Sequence, residues 1–294
     1  MTDFLISPEA LLPKLDACAI LDVSSSPTGC AQAQADFEKA HIAKARFLNF
    51  EHFFSREAPP ECGRHPWPDA MTVRERLCAI GLTPDSPIVF CDQGGLNFAS
   101  RAYLLARQAG FTNLRVLDGG FALWEKLGFP VEAGRQDEDA KASTHSAIHS
   151  DDAQPALGPA LVTLEAMTEN LSAKAFVDLD ARPAPRFHAT APSALDPLPG
   201  RIPGAINRPA AENLDEEGRM KSPERLRLEI TAFLAKNGVS EPKRIVQSCG
   251  SGVAACLNIL AFDRAGLVSI DESRIYAGSW SEWIEHPSLP RETE

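Results

Sequence analysis

Four blocks of sequence occur twice in this chain, in the same order and at similar spacing. The paired blocks are AILDVS and FVDLDAR, HIAKARFLNF and RIPGAINRPA, PIVFCDQGGLNFASRAYLLARQAG and RIVQSCGSGVAACLNILAFDRAG, and VLDGGFALW and IYAGSWSEW. Asp22 precedes Asp92 by 70 residues, and Asp180 precedes Cys249 by 69 residues. A repeat of this length corresponds to a whole domain, so the sequence predicts a tandem duplication.

A change of composition separates the two copies. Residues 135–160 are rich in Asp, Ala and Ser and contain few large apolar residues, which is typical of a linker. The chain of 294 residues is also long enough for two domains of ordinary size. We therefore predict a first domain at residues 1–134, a linker at 135–160 and a second domain at 161–294.

Within each copy, short apolar runs rich in β-branched residues alternate with segments of helical periodicity. The runs CAILDV, PIVFC and RIVQS are apolar on both faces, as buried parallel strands are. Helical spacing follows them in residues 98–110 and 253–266. This alternation predicts two α/β domains, each with a mostly parallel sheet flanked by helices. Sites in such sheets form at the carboxyl ends of the strands.

Charge and cysteine content exclude several classes of function. The formal net charge of −11 disfavours binding to nucleic acid or to an anionic membrane. No apolar run approaches the roughly 20 residues of a membrane span, and the first residues do not resemble a secretory signal. The seven cysteines include no CxxC pair, which argues against a disulfide framework or a zinc ribbon. We therefore expect a cytoplasmic protein that binds no metal.

Cys249 stands where chemistry is expected in such a fold. It directly follows the apolar run at residues 244–248, and the sequence CGSGVAAC continues from it into a helical segment. Backbone N–H groups of a glycine-rich loop and of a helix N-terminus stabilise an anion, which lowers the pKa of a thiol and makes it a better nucleophile. Asp92 occupies the equivalent position of the first copy. We therefore predict that Cys249 is the nucleophile and that the first domain is catalytically inactive.

Taken together, these blocks resemble the two-domain rhodanese family of sulfurtransferases, and the CGSGVAAC loop is most similar to its 3-mercaptopyruvate branch. The resemblance implies that Cys249 takes a sulfur atom as a persulfide from a small-molecule donor. The sulfur would then pass to cyanide, a thiol or a thioredoxin-like dithiol, with no cofactor. Thiosulfate enzymes of the family carry basic residues after the cysteine, whereas this loop has neutral Gly250 and Ser251.

The resemblance also suggests which residues form the site. Substrate binding is expected from Arg186 and from the loop residues Gly250, Ser251, Gly252, Val253 and Ala254. Arg186 would hold the carboxylate of the donor, since its planar fork suits such a group. In the mercaptopyruvate branch a second arginine lies nine residues further on, but this chain has Leu195 there. Arg201, His65 and Glu51 are candidate accessory residues.

Alternative functions stay open at this point. Thiosulfate:cyanide sulfurtransferase activity would use the same cysteine with another donor, and a persulfide carrier would relay sulfur to a protein partner. A phosphatase loop would need an arginine six positions after the cysteine, where this chain has Ala255. For the remaining candidates a structural role is expected: Cys91 and Cys256 as packed thiols, Asp180 and Arg182 as an ion pair, and Trp124 and Trp283 as core residues.

Overall fold

The computed structural model describes residues 4–26, 29–134, 158–191 and 193–293. Contacts divide the chain into two compact units. Met1–Ser55 and Pro68–Leu157 form the first, and Arg56–Trp67 and Gly158–Glu294 form the second. Most of the predicted linker, residues 135–157, lies outside the described residues, and the first strand of the second unit begins at Ala160.

Strands and short helices alternate along the first unit. Its strands are β1 (Leu5–Ile6), β2 (Ala19–Asp22), β3 (His41–Ile42), β4 (Arg46–Phe47), β5 (Ile88–Cys91), β6 (Leu114–Leu117) and β7 (Val131–Glu132). Its α-helices are α1 (Pro8–Leu11), α2 (Ala31–Lys39), α3 (Phe50–Phe54), α4 (Ala70–Ala79), α5 (Asn97–Gln108) and α6 (Gly120–Lys126). A short 3₁₀ turn at Leu12–Lys14 extends α1.

The second unit repeats this alternation. Its strands are β8 (Ala160–Leu161), β9 (Val177–Asp180), β10 (Ile206–Asn207), β11 (Ile245–Ser248) and β12 (Arg274–Ile275). Its α-helices are α7 (Leu164–Ala173), α8 (Ala184–Phe187), α9 (Pro223–Lys236), α10 (Ala254–Arg264) and α11 (Ser279–Trp283). Its 3₁₀ turns are Pro60–Cys62, Ala210–Asn213, Pro242–Arg244 and Ile270–Glu272.

Local sequence sets the ends of these helices, as α9 shows. The Ser222 hydroxyl accepts a hydrogen bond from the Arg225 N–H at 3.3 Å and caps the first turn, and Pro223 occupies the first helical position, where it loses no bond. Gly238 ends the segment with a φ of 71°, a left-handed conformation that glycine adopts without a Cβ clash. Ser222 and Gly238 therefore lie just outside the two ends of the observed helix, Pro223–Lys236.

The two five-stranded sheets have the same strand order, and β3 and β7 form a separate antiparallel pair in the first unit. Among the described residues, the first sheet runs β1-β6-β5-β2-β4 and the second β8-β12-β11-β9-β10, and every neighbouring pair is parallel. The register agrees as well, because Asp22 pairs with Cys91 in one sheet and Asp180 with Ser248 in the other. The predicted fold class, a tandem duplication of an α/β domain, is confirmed.

Each unit has its own apolar core. In the first, Trp124 packs against Phe37 and Leu117, and in the second Trp283 packs with Val246. Both indole N–H groups donate to a proline carbonyl at 2.9 Å, so their burial leaves no donor unsatisfied. Within the part of the chain that the structure describes, no helix is both long and apolar enough to cross a membrane.

Residues 56–67 belong to the second unit, although they lie inside the segment 1–134 that the sequence analysis assigns to the first domain. Hydrogen bonds from Arg64 connect this segment to the rest of the second unit. Its main-chain N–H donates to the Ser281 hydroxyl at 3.0 Å, and its guanidinium donates to backbone carbonyls of the second unit. The second unit therefore contains an arginine and a histidine, Arg64 and His65, that come from far upstream.

Candidate active site

Cys249 lies directly after β11, at the carboxyl end of the second sheet. Its side chain is buried, with 2% of the residue exposed, and α10 begins five residues later. The main-chain N–H groups of Cys249 and Gly252 both donate to the Ser279 hydroxyl, at 3.1 and 3.0 Å, and that hydroxyl donates to the Tyr276 carbonyl at 2.9 Å. One serine thereby fixes the two ends of the loop.

Ser279 itself is in an unfavourable backbone conformation. Its φ is 57°, which L-residues other than Asn and Asp seldom adopt. The equivalent residue of the first unit is Gly120, with a φ of 61°. The second unit therefore keeps a strained serine where a glycine would fit, and the hydroxyl that holds the cysteine loop explains why. Sequence reasoning missed this residue, although the replacement of GGF by GSW between the two copies is visible in the sequence.

The loop after Cys249 turns its carbonyl groups away from the sulfur. The Cys249 carbonyl accepts from the Trp280 N–H at 3.0 Å, and the Gly250 carbonyl accepts from the Ser281 N–H at 2.9 Å. Across the described ranges, the N–H groups of Val253, Ala254 and Ala255 find no acceptor. The first turn of α10 therefore presents unpaired donors beside the loop, an arrangement that favours an anion.

In the first unit, the N–H groups of the equivalent loop donate to a carboxylate. The Asp92 carboxylate accepts four main-chain hydrogen bonds of 3.1 to 3.2 Å, whose donors are the N–H groups of Gly94, Leu96, Phe98 and Ala99. Burial raises the pKa of Asp92 to about 7, against the hydrogen bonds, which lower it. Above that pH an anion occupies the loop, with four amides directed at it.

Gly252 is the loop residue for which the backbone requires glycine. Its φ is 72°, and a Cβ there would stand 2.4 Å from the Ala277 carbonyl oxygen. We expect Gly252→Ala to displace the loop and lower turnover by about 10-fold or more, since both the dihedral and the contact oppose a side chain. Gly218→Ala is the matched control, because Gly218 has a φ of 77° and no atom within 4 Å of the added Cβ.

Steady-state kinetics and thermal melting of both variants test this expectation. Gly218→Ala carries only the dihedral strain, so it should lose some stability and keep its activity. Equal activity in both variants would contradict the role assigned to the Gly252 conformation.

Arg186, the predicted donor-binding residue, is held by a carboxylate that the sequence analysis did not single out. Its Nε and Nη2 donate to the two Asp196 oxygens at 2.7 Å each, and its side chain is 20% exposed. The pKa of Arg186 is raised: burial opposes this, but the Asp196 carboxylate and the Cys249 thiolate favour the charged form. A pocket of about 390 Å³ opens beside Arg186 and Asp196, lined also by Ala189, Thr190 and Pro199.

Arg182 and Asp180 form the expected ion pair next to this arrangement. The Arg182 guanidinium is buried, donates to Asp180 and to the Gly200 carbonyl at 2.8 and 2.9 Å, and lies 4.8 Å from the centre of the Trp280 ring. Its Nη1 also lies 3.6 Å from Asp196. Asp196 therefore has two cations beside it: Arg186, to which it is hydrogen-bonded, and Arg182, which is close enough for charge attraction.

His65 lies next to the loop. Its Nδ1 is 2.9 Å from the Ser251 hydroxyl, with which it shares a hydrogen bond, and both residues are buried. This contact joins two residues 186 positions apart in the chain. The structure therefore places a titratable group one hydrogen bond from the loop.

Arg64 was missed by the sequence analysis, although it precedes His65. Its Nη1 donates to the Leu195 carbonyl at 2.6 Å and its Nη2 to the Gly250 carbonyl at 3.2 Å. Local sequence gave no sign of these contacts, because both partners are distant in the chain.

Two candidate accessory residues form other contacts. Arg201 pairs with Glu292 at 3.3 Å and lies 5.0 Å from the centre of the Phe187 ring. Glu51, in the first unit, accepts hydrogen bonds from Ser25 at 2.8 Å and from the Cys30 thiol. The roles predicted for Arg201 and Glu51 at Cys249 stay predictions.

The remaining cysteines and the question of a metal site complete the comparison with the predicted residues. Cys91 and Cys256 are fully buried, as expected for packed thiols, and all seven cysteines are free. Among the residues that the structure describes, no group of three or more His, Cys, Asp or Glu side chains could hold a metal ion.

Fold and loop together define a class of protein. It is a duplicated α/β protein in which the loop after the central strand begins with a cysteine in one copy and with an aspartate in the other. The family model described as a Rhodanese-like domain matches the chain twice, at residues 7–127 and 163–286. The chain belongs to the rhodanese family, and the predicted two-domain organisation of that family is confirmed.

Similar proteins cover most of the chain. A probable 3-mercaptopyruvate sulfurtransferase of Pseudomonas aeruginosa is 35% identical over 86% of this chain and 84% of its own length. A thiosulfate sulfurtransferase of Gallus gallus is 32% identical over 92% of this chain and 88% of its own. The crystal structure of SseA, a 3-mercaptopyruvate sulfotransferase from Escherichia coli, superposes with a TM-score of 0.72 at 28% identity, covering 95% of this chain and 99% of that one.

Proposed function

We propose that this protein transfers sulfur from 3-mercaptopyruvate, through a persulfide on Cys249, to cyanide, a thiol or a thioredoxin-like dithiol. The observation that carries the proposal is the cysteine loop at the end of β11, together with its counterpart around Asp92. The enzyme class predicted from the sequence, a sulfurtransferase, is confirmed by the curated relatives. The donor, the acceptor and the roles of individual residues are the proposed part.

The chemistry begins at the Cys249 sulfur. The thiolate attacks the sulfur of the donor, an S–S bond forms, and the C–S bond of the donor breaks. The electron pair of that bond leaves on carbon as an enolate, which takes a proton and becomes pyruvate. The outer sulfur stays on the enzyme as a persulfide until an acceptor attacks it. No external oxidant is needed, because the carbon is reduced as the sulfur is oxidised.

The first unit supports this intermediate by analogy. In Asp92 an oxygen follows Cβ and Cγ, and in a Cys249 persulfide the outer sulfur would follow Cβ and Sγ, so the two side chains have the same connectivity. Four amides surround the Asp92 oxygens, and their counterparts in the second unit include the unpaired N–H groups of Val253 and Ala255. An anionic outer sulfur in the second unit would accept from these donors.

Ser251 and His65 are suited to proton transfer. The hydroxyl of Ser251 is one hydrogen bond from the His65 ring, at 2.9 Å, and the enolate that leaves the donor must be protonated. A histidine can deliver that proton near neutral pH, directly or through the hydroxyl. We assign the pair this role and assign Gly250, Gly252 and Ala254 to the wall of the donor site.

The donor preference rests on charge. Gly250 and Ser251 place no cation directly after the cysteine, so a dianion such as thiosulfate has no dedicated partner in the loop. Arg186 lies beside the loop, with its Nη2 2.9 Å from the point that a Gly250 Cβ would occupy. A donor that carries its charge on a carboxylate away from the sulfur fits this arrangement. The relative from Gallus gallus is named a thiosulfate sulfurtransferase, which keeps thiosulfate as the second candidate donor.

Turnover with the two donors tests the proposal. We expect 3-mercaptopyruvate to be favoured over thiosulfate in the wild type, and Arg186→Ala to raise the KM for 3-mercaptopyruvate about 10- to 100-fold with a smaller effect on kcat, since a charge-assisted contact to the substrate is lost. Arg225→Ala, which removes a 63% exposed arginine of α9, is the control and should leave KM unchanged. A strong preference of the wild type for thiosulfate would refute the proposed donor.

The cytoplasm is the proposed compartment. All seven cysteines are free, and a nucleophilic thiol needs a reducing environment to stay available. The same environment would supply thiols and dithiols as sulfur acceptors.

A further inference from the structure

Two guanidinium groups converge on Gly250. A Cβ on that glycine would stand 2.9 Å from Nη2 of Arg186 and 3.0 Å from Nη2 of Arg64. Both cations therefore lie against one face of the loop that follows Cys249. The two positive charges repel each other at this separation, and an anion placed near both of them would relieve the repulsion.

One of the cations around the loop has no carboxylate in direct contact. Arg182 is paired with Asp180, and Arg186 is paired with Asp196. For Arg64, the described part of the chain offers no carboxylate within 4.0 Å, so its guanidinium is held by two backbone carbonyls alone. Its Nε is buried and has no hydrogen-bond partner among the described residues. Asp196 and the Cys249 thiolate act on this guanidinium only at longer range, so a half-buried cation is left without a direct counter-ion, which is costly.

The position of Arg64 indicates which anion it could bind. Its Nη1 donates to the carbonyl of Leu195 and its Nη2 to the carbonyl of Gly250. The residue after Leu195 is Asp196, which accepts the hydrogen bonds of Arg186. Arg64 thus spans the segment that supports Arg186 and the cysteine loop. Leu195 is also the position at which the resemblance to the mercaptopyruvate branch would place a second arginine. Arg64 therefore brings a cation from a distant segment into contact with the backbone of that position.

We propose that Arg64 acts with Arg186 to bind the carboxylate of the sulfur donor and so determines donor specificity. This inference rests on the proposed function, because it assumes a donor with a carboxylate remote from its sulfur. The guanidinium retains hydrogens on Nη1 and Nη2 that the two carbonyls do not use, and these donors suit a carboxylate oxygen.

The test compares two donors that differ only in the carboxylate. In 1-mercaptopropan-2-one a methyl group replaces the carboxylate of 3-mercaptopyruvate, and the reacting thiol and carbonyl are the same. We expect Arg64→Gln to lower kcat/KM for 3-mercaptopyruvate about 10- to 100-fold, mainly through KM, because a charge-assisted contact is lost. With 1-mercaptopropan-2-one the loss should stay below about threefold. Arg64→Lys keeps the positive charge but loses the planar guanidinium. Its kcat/KM for 3-mercaptopyruvate should lie between those of the wild type and Arg64→Gln.

Three further measurements interpret the result. Arg56→Gln removes an exposed arginine of the same segment and should leave kcat/KM unchanged for both donors. Thermal melting shows whether the Arg64 variants are folded, and the rate of Cys249 alkylation by iodoacetamide reports on the thiolate. Equal losses with both donors, or a parallel loss of alkylation rate, would overturn the inference, because Arg64 would then act on the loop or on the sulfur.

The outcome separates this inference from the proposed function. A wild-type enzyme that prefers 3-mercaptopyruvate while Arg64→Gln affects both donors equally would leave the proposed function standing and remove the role of Arg64. A wild-type enzyme that accepts thiosulfate alone would refute the proposed donor, and the carboxylate role of Arg64 with it.

Discussion

Substitution of Cys249 by serine is expected to lower sulfur transfer by at least about a thousandfold while the second unit stays folded. A hydroxyl is a far weaker nucleophile than a thiolate at neutral pH and cannot form a persulfide. The side chain is nearly isosteric, and the hydrogen bonds that hold the loop use main-chain groups of Cys249 and the Ser279 hydroxyl, so the loop should persist.

Mass spectrometry provides a direct measurement. After incubation with 3-mercaptopyruvate, the wild type should carry about 32 Da, one sulfur atom, on the peptide that contains Cys249. Cys78→Ser, which removes an exposed thiol of α4, is the control and should form the same adduct at the wild-type rate. An adduct on another cysteine, or a Cys249→Ser protein that still turns over, would refute the assignment of the nucleophile.

Replacement of Arg182 by methionine is expected to destabilise the second unit by about 3–5 kcal/mol. The methionine fills part of the volume, but it leaves Asp180 without its cation and removes a buried contact to Asp196. The bond to the Gly200 carbonyl and the contact with the Trp280 ring are lost too. The Asp180 carboxylate, buried without its cation, accounts for most of the expected effect, since Asp196 keeps Arg186.

Urea unfolding followed by tryptophan fluorescence measures this change. Trp67, Trp280 and Trp283 belong to the second unit and Trp124 to the first, so the signal reports mainly on the unit that carries the substitution. Arg225→Met, at an exposed site of α9, is the control and should change the free energy of unfolding by less than about 0.5 kcal/mol. A loss below about 1 kcal/mol for Arg182→Met would show that the buried pair contributes little.

The sequence predicts the fold and the place of the nucleophile because both follow from local pattern. Strand–helix alternation determines the fold class, and the repeat adds an internal comparison that locates Cys249 and Asp92 at equivalent strand ends. The paired registers of Asp22 with Cys91 and of Asp180 with Ser248 show that this comparison holds at the level of single residues.

The surroundings of the cysteine could be predicted only in part. Arg64 reaches partners 131 and 186 residues away, and no periodicity or motif encodes such a contact. A second cation was expected at position 195, which holds Leu195, and the carboxylate of the next residue, Asp196, was not anticipated. Contacts between distant segments depend on the path of the folded chain, so they become visible only in three dimensions.

The unpaired N–H groups at the start of α10 have a consequence for stability if Cys249 carries a persulfide. In the first unit the Asp92 carboxylate accepts from the equivalent N–H groups, whereas in the second no protein acceptor among the described residues does so. A persulfide stays bonded to Cys249 when the chain unfolds, but it could accept from these N–H groups only in the folded state. If the outer sulfur accepts these donors, the empty protein is the less stable form. Unfolding and proteolysis would then act more on molecules that have delivered their sulfur than on those that still carry it.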